Sequence, residues 1–221
     1  MTDKIMQELD PSDLGTLEFW EKTYAVEIEN FRDHGDVGEV WFGSESASKV
    51  VRCINSKLLL KKEEDKIIDL GCGNGMLLVD LANEGFKKLV GVDYSQKAIN
   101  LSAAVLEENN ISNVELQVCD IVDAGNNLPG DFKLAHDKGT YDAISLSPEN
   151  PKEKRLKYIE NVHKILLRGG YLLLTSCNWT KDELVEHFRE KFDLLLEIPT
   201  RTFAFGGQIG HTVTQLVFTK K

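Results

Sequence analysis

Lys66-Ile67-Ile68-Asp69-Leu70-Gly71-Cys72-Gly73-Asn74-Gly75 reads as a short apolar strand that runs into a glycine turn. Ile67, Ile68 and Leu70 supply the apolar run, and glycines at alternate positions behind it permit a sharp turn and close approach of a ligand to the backbone. Leu77, Leu78 and Leu81 then follow at helical spacing, with Gly85 as a C-terminal cap. A strand, a glycine turn and a helix in succession form a cradle of nucleotide size. The spacing is G-x-G-x-G, whereas a dinucleotide fingerprint would place its third small residue at position 76, which is Met76. A nicotinamide dehydrogenase is disfavoured on that ground.

Outward from the turn, the pattern repeats. A second strand, Lys88 to Val92, ends in Asp93-Tyr94-Ser95, and Ser95 caps a helix with Ile99, Ala103 and Leu106 along one side. Val114 to Val118 is the third strand, ending in Asp120. Strands alternating with helices predict right-handed βαβ units and an open parallel sheet, with ligands bound outside the carboxyl ends of the strands. Asp69, Asp93 and Asp120 therefore share one rim.

For the fourth strand two readings stand, Phe132 to His136 or Tyr141 to Leu146. A helix is expected from about Lys152 to Leu167, then a turn at Gly169-Gly170 and a fifth strand, Tyr171 to Cys177. Thr180-Lys181-Asp182-Glu183 is a capping box for the next helix. Phe192 to Ile198 and Thr212 to Thr219 are the last strands, and the short helix-free link between them predicts antiparallel pairing. The fold class is thus α/β: a Rossmann-like, seven-stranded, mostly parallel sheet with an antiparallel last strand and helices on both faces.

Three regions are expected: a loose tail over 1–14, a helical extension over 15–65 packed on the domain, and the sheet domain over 66–221. Thr16 caps a helix whose Trp20, Tyr24, Ile28 and Phe31 form one stripe, either core packing or a lid over the ligand. Trp41 and Phe42 lie in a glycine-bearing loop, Asp33 to Gly43, where they either staple the following helix or serve the site. Ser44 starts that helix, with Ala47, Val50, Val51, Ile54 and Leu58 on one face.

Composition narrows the function classes. A chain of 221 residues with a formal charge of −10 is a poor partner for nucleic acid and a good one for a basic protein. Cys53, Cys72, Cys119 and Cys177 show neither a C-x-x-C pair nor a zinc spacing, so reduced thiols and no metal are expected. The N-terminus has no apolar signal core, and no stretch reaches the length of a membrane span. A cytosolic or nuclear protein is expected, and the glycosylation pattern Asn178-Trp179-Thr180 is read as accidental.

Asp69 before the glycine turn and Asp93 after the next strand resemble motif I and the following acidic position of the seven-strand, S-adenosylmethionine-dependent methyltransferases. The blocks Phe31-Arg32, Gly35-Asp36, Gly38-Glu39, Trp41-Phe42-Gly43, Asp137-Lys138-Gly139-Thr140-Tyr141-Asp142-Ala143-Ile144, Thr175-Ser176-Cys177-Asn178-Trp179-Thr180 and Phe203-Ala204-Phe205-Gly206-Gly207 narrow this. From Thr16 to Lys221 the chain resembles the eukaryotic elongation factor 1-alpha lysine methyltransferases of the methyltransferase-like group. That resemblance selects Phe132 to His136 as the fourth strand. It implies methylation of a lysine on elongation factor 1-alpha, with S-adenosylmethionine as donor and S-adenosylhomocysteine as product; a monomer is expected.

Site roles follow from the resemblance. The backbone of Gly71, Cys72, Gly73, Asn74 and Gly75 would cradle the amino-acid end of the cofactor, with Asp69 near its ammonium and Trp41 against it. Asp93 would accept from the ribose hydroxyls and Asp120 from the adenine amino group, with Tyr94 and Ile121 flanking the ring. Asp137 would touch the cofactor and orient or deprotonate the target amine with Tyr141 beside it; the alternative is a structural carboxylate that caps the loop or pairs with Lys138. Asn178, Trp179 and Phe205 would line a lysine channel with Tyr141. Two other functions remain open: a small-molecule N- or O-methyltransferase, and a non-catalytic cofactor-binding scaffold.

Overall fold

The computed structural model describes residues 8–39, 41–124, 128, 130–200, 202–205, 208–211 and 213–221, with side chains of 202–205 and 208–211 outside the description. Strand β1 (Lys66–Leu70) is buried from Ile67 onward. It pairs in parallel with β2 (Lys88–Asp93) on one side and β4 (Phe132–Lys138) on the other. With β3 (Val114–Val118), β5 (Leu166–Ser176), β6 (Phe192–Glu197) and β9 (Thr214–Lys220) the sheet runs β3-β2-β1-β4-β5-β9-β6. Strand β9 is antiparallel to both β5 and β6, as the short link predicted.

The strand alternation divides the core into two layers. Ile68, Leu70, Ala135, Leu172 and Leu174 face α6 (Pro151–Ile165) and α7 (Lys181–Phe188), where Tyr158, Val162 and Phe188 complete one cluster. Ile67, Leu134 and Leu173 face α2 (Ser44–Ser56), α3 (Met76–Asn83) and α4 (Gln96–Glu108) through Ile54, Leu78 and Val105. Helix α1 (Leu17–His34) is capped by Thr16 and lays Tyr24, Ile28 and Phe31 against the second layer.

Several expectations need correction. Strand four is Phe132–Lys138, and the rival stretch forms α5 (Thr140–Ser145), a short helix entered through Gly139 at φ +88°. Strand β5 begins at Leu166, so Gly169 and Gly170 lie inside it at a register shift against β4, and α6 stops at Ile165. The link before β9 carries a hairpin, β7 (Thr202–Phe205) with β8 (Gln208–His211), and β9 starts at Thr214. Within the supposed tail, residues 1–7 lie outside the described residues, and residues 8–14 are folded back. Glu8 pairs with Arg155 at 2.7 Å and Ser12 N–H donates to Leu146 O at 3.0 Å.

Phe188 is fully buried, stacked on Phe218 at 5.2 Å and packed by Tyr141 and Phe192. Phe188→Ala is expected to cost about 3–5 kcal/mol of unfolding free energy; urea denaturation that shows a loss under ~1 kcal/mol would contradict this packing.

Candidate active site

The turns that follow β1 and β2 and the end of β4 border one cleft of about 270 Å³. Its floor is the glycine turn. Gly71 and Cys72 N–H both donate to Val92 O, at 2.8 and 2.9 Å, which ties the turn to the end of β2. Gly71, Gly73 and Gly75 sit at φ +70°, +55° and +76°. A Cβ would come within 2.0 Å of Thr140 Oγ1 at Gly71 and within 2.8 Å of the Tyr24 hydroxyl at Gly73. Only glycine gives this backbone and leaves room for a ligand to lie on it.

Asp93 borders the cleft with both oxygens already oriented, Oδ2 accepting from Gly73 N at 3.1 Å and Oδ1 from Ser95 N at 2.9 Å. Burial pushes its carboxyl up to about 6. Ser95 caps α4 and donates to Glu21 Oε1 at 2.6 Å, so α1 is fastened to the β2–α4 turn. Beyond it stand Tyr94, Asp120 and Ile121. Asp120 Oδ1 accepts from Val122 N at 2.8 Å, and Asn161 Nδ2–H donates to Ile121 O at 2.7 Å, which anchors this loop to α6.

The opposite wall comes from the N-terminal extension. Trp20 stacks on Tyr24 at 5.9 Å and meets Trp41 edge-on at 5.5 Å, while its Nε1–H donates to Leu14 O at 2.8 Å. Trp20, Tyr24, Trp41, Leu14 and Gly15 all line the cleft. The helix stripe therefore serves both ends, with Trp20 lining the cleft, Ile28 and Phe31 half-buried against the second core layer, and Tyr24 doing both. Asn74 joins the two walls, its Nδ2–H donating to Val37 O at 2.8 Å and its Oδ1 accepting from Met76 N at 3.2 Å. Phe42, at φ +67°, packs over Gly139.

Of the expected site residues, Trp41, Gly71, Cys72, Gly73, Asn74, Asp93, Tyr94, Asp120, Ile121 and Asn178 line the cleft. Gly75 shapes the turn from behind, against Ser102. Asp69 is buried under the turn, 2.7 Å from His136 Nδ1, and does not border the cleft. Tyr141 and Trp179 are core residues; Tyr141 Oη lies 2.9 Å from His187 Nδ1, and Trp179 Nε1–H donates to Ser145 Oγ at 3.1 Å. The Phe205 side chain lies outside the description.

The rim placement expected for Asp137 needs correction. It is fully buried and accepts from Thr140 N at 3.0 Å, Tyr141 N at 3.0 Å and Tyr158 Oη–H at 2.5 Å. This is the capping alternative, with β4 turned into α5. Burial first, then nearby Asp142, pushes its carboxyl up to about 8. Asp142 is the carboxylate presented to the cleft instead. Its Oδ1 accepts from Ser176 Oγ–H at 2.6 Å and its Oδ2 from Cys177 N at 2.8 Å, beside Asn178. No periodicity marked Asp142 or Lys138 for the cleft; the only signal was their place in the Asp137 to Ile144 block.

The folded state holds the Asp137 proton from the ordinary carboxylate range up to about 8, whereas the unfolded chain has released it. The folded state then binds more protons, so this group lowers stability as pH rises through that window. Asp137→Asn removes the titration. Relative to wild type, the variant is expected to gain stability between pH 4 and 8 and to keep cofactor affinity; a pH-independent difference, read by thermal unfolding, would contradict the assignment.

Residues 61–216 match the methyltransferase domain family. The chain is 46% identical over 211 residues to human EEF1A lysine methyltransferase 2, covering 95% of this chain and 88% of that one. It is 36% identical over 224 residues to the protein-lysine N-methyltransferase EFM4 of Saccharomyces cerevisiae, covering 97% of each. Among solved structures, the N-methyltransferase NodS of Bradyrhizobium japonicum, in complex with S-adenosyl-L-homocysteine, superposes with a TM-score of 0.66 at 16% identity, covering 90% of this chain and 98% of that one. At that identity the likeness shows the fold, while the relatives show the lineage: the chain belongs to the methyltransferase domain family, within its protein-lysine methyltransferases.

Proposed function

We propose that this enzyme uses S-adenosylmethionine to methylate a lysine of translation elongation factor 1-alpha. The observation that carries the cofactor reading is the glycine turn, whose Gly71, Cys72, Gly73 and Asn74 line the cleft beside Asp93 and which has no room for a side chain at Gly73 against the Tyr24 hydroxyl. The substrate reading rests on the relatives' names, on the chain's formal charge of −10 and on the open cleft. When bound, the cofactor supplies a methyl group on a positively charged sulfonium.

The protein's part is to bind, align and keep water out. The Gly71–Gly75 backbone accommodates the amino-acid end, Asp93 accepts from ribose hydroxyls, and Asp120 accepts from the adenine amino group. Trp20, Tyr24 and Trp41 wall off solvent. An incoming lysine carries a proton at neutral pH, because its reference pKa is about 10.4. Asp142, with a carboxyl raised by burial and held by Ser176 and Cys177, attracts that ammonium and takes its proton toward solvent. Asn178 borders the same corner of the cleft.

A monomer acting in the cytosol, or in the nucleus, completes the proposal. Both core clusters close within one copy, and the exposed Cys177 thiol suits a reducing compartment.

Labelled S-adenosylmethionine added with the enzyme to a eukaryotic lysate is expected to mark one band at the size of elongation factor 1-alpha. Asp93→Ala, which should weaken cofactor binding about tenfold or more in calorimetry, is expected to remove it. Label confined to small molecules would refute the protein substrate, and cofactor binding with no label at all would point to a scaffold. Asp142→Asn is expected to lower kcat on the order of a hundredfold with cofactor Kd little changed; an unchanged kcat would remove Asp142 from the chemistry.

A further inference from the structure

Among the described residues, Lys138 stands in the cleft with no polar contact. It is the last residue of β4, and the register that pairs Leu70 with Asp137 brings it level with Gly71. Alternation along β4 turns it to the same side of the sheet as Leu134 and His136, the side on which α3 packs through Leu77 and Leu78. Its side chain therefore enters the cleft beside the glycine turn. Among the described residues no hydrogen bond or ion pair reaches its ammonium, and Asp69 and Asp137 act on it only through space.

The charges around it make this arrangement informative. Glu27, Glu39, Asp93, Asp120, Asp123 and Asp142 border the cleft, and the other cation there, Lys154, already donates to Ser147 Oγ at 2.7 Å. A half-buried ammonium left without a partner is costly, and burial lowers the pKa of Lys138 accordingly. A ligand carboxylate at this point would satisfy the ammonium.

We propose that Lys138 holds the carboxylate of the cofactor's amino-acid end, so that the cleft selects a ligand carrying a carboxylate next to the glycine turn and positive charge among the acidic residues. This role rests on the S-adenosylmethionine reading. It assigns selectivity to one side chain: Lys138 separates S-adenosylmethionine from its decarboxylated form, a compound identical except for that group.

The test is calorimetric titration of both compounds into wild type, Lys138→Met and Lys138→Arg, each first shown to unfold cooperatively. Wild type is expected to prefer S-adenosylmethionine by roughly tenfold to a hundredfold, as for a charge-assisted bond. In Lys138→Met the preference should fall to within about threefold, through loss of S-adenosylmethionine affinity alone, and Lys138→Arg should keep most of it. Equal binding of the two compounds by wild type, or an undiminished preference in Lys138→Met, would overturn the proposal. A methyl group found on Lys138 itself by mass spectrometry would overturn it too. If wild type binds neither compound, the cofactor reading itself fails, a result distinct from binding without discrimination.

Discussion

The two hydrogen bonds from Gly71 and Cys72 N–H to Val92 O are the constraint on which the site depends. They fold the chain back over the end of β2 before α3 can begin, which requires left-handed backbone at alternate residues. Each of those residues meets a neighbour that leaves no space for a side chain: Thr140 from the β4–α5 junction, Tyr24 from α1 and Ser102 from α4. The turn is thus where the sheet, two helix layers and the N-terminal extension meet. Asp93 reads its position through Gly73 N, so the group that borders the cleft is aligned by the same backbone that floors it.

Burial sorts the acidic residues into different tasks. Asp137 and Asp69 lie beneath the surface, one capping α5 and held by Tyr158, the other beside His136. Asp93, Asp120 and Asp142 reach the cleft. Asp137 is fully enclosed among its three donors, whereas Asp142, also buried and held by Ser176 and Cys177, lines the cleft.

The N-terminal extension completes the site rather than decorating it. Glu21 at the start of α4, Asn74 on Val37 and Arg155 on Glu8 pin it at three separated points. Between these pins Trp20, Tyr24 and Trp41 form one aromatic wall of the cleft. An apolar wall lowers the local dielectric on that side and so strengthens the electrostatic interactions available to a ligand there.

Local rules were enough for much of this molecule. The apolar runs, the glycine turn, Ser95 and Thr180 as caps, and the short link before the last strand placed the strands and the antiparallel pairing at the end of the chain, because these depend on neighbours in sequence; the order of the strands in the sheet does not. The cradle and the acidic residues after β2 and β3 were legible for the same reason. What the sequence could not say is which side of a surface each residue in the Asp137 to Ile144 block would occupy. Asp137, Lys138, Tyr141 and Asp142 lie within six positions, yet one caps a helix, one enters the cleft without a partner, one packs against Phe188 and one turns its carboxylate to the site. That division is set by the switch from the two-residue period of β4 to the helical period of α5 at Gly139, and by the helices that then cover each face, so only the tertiary structure decides it.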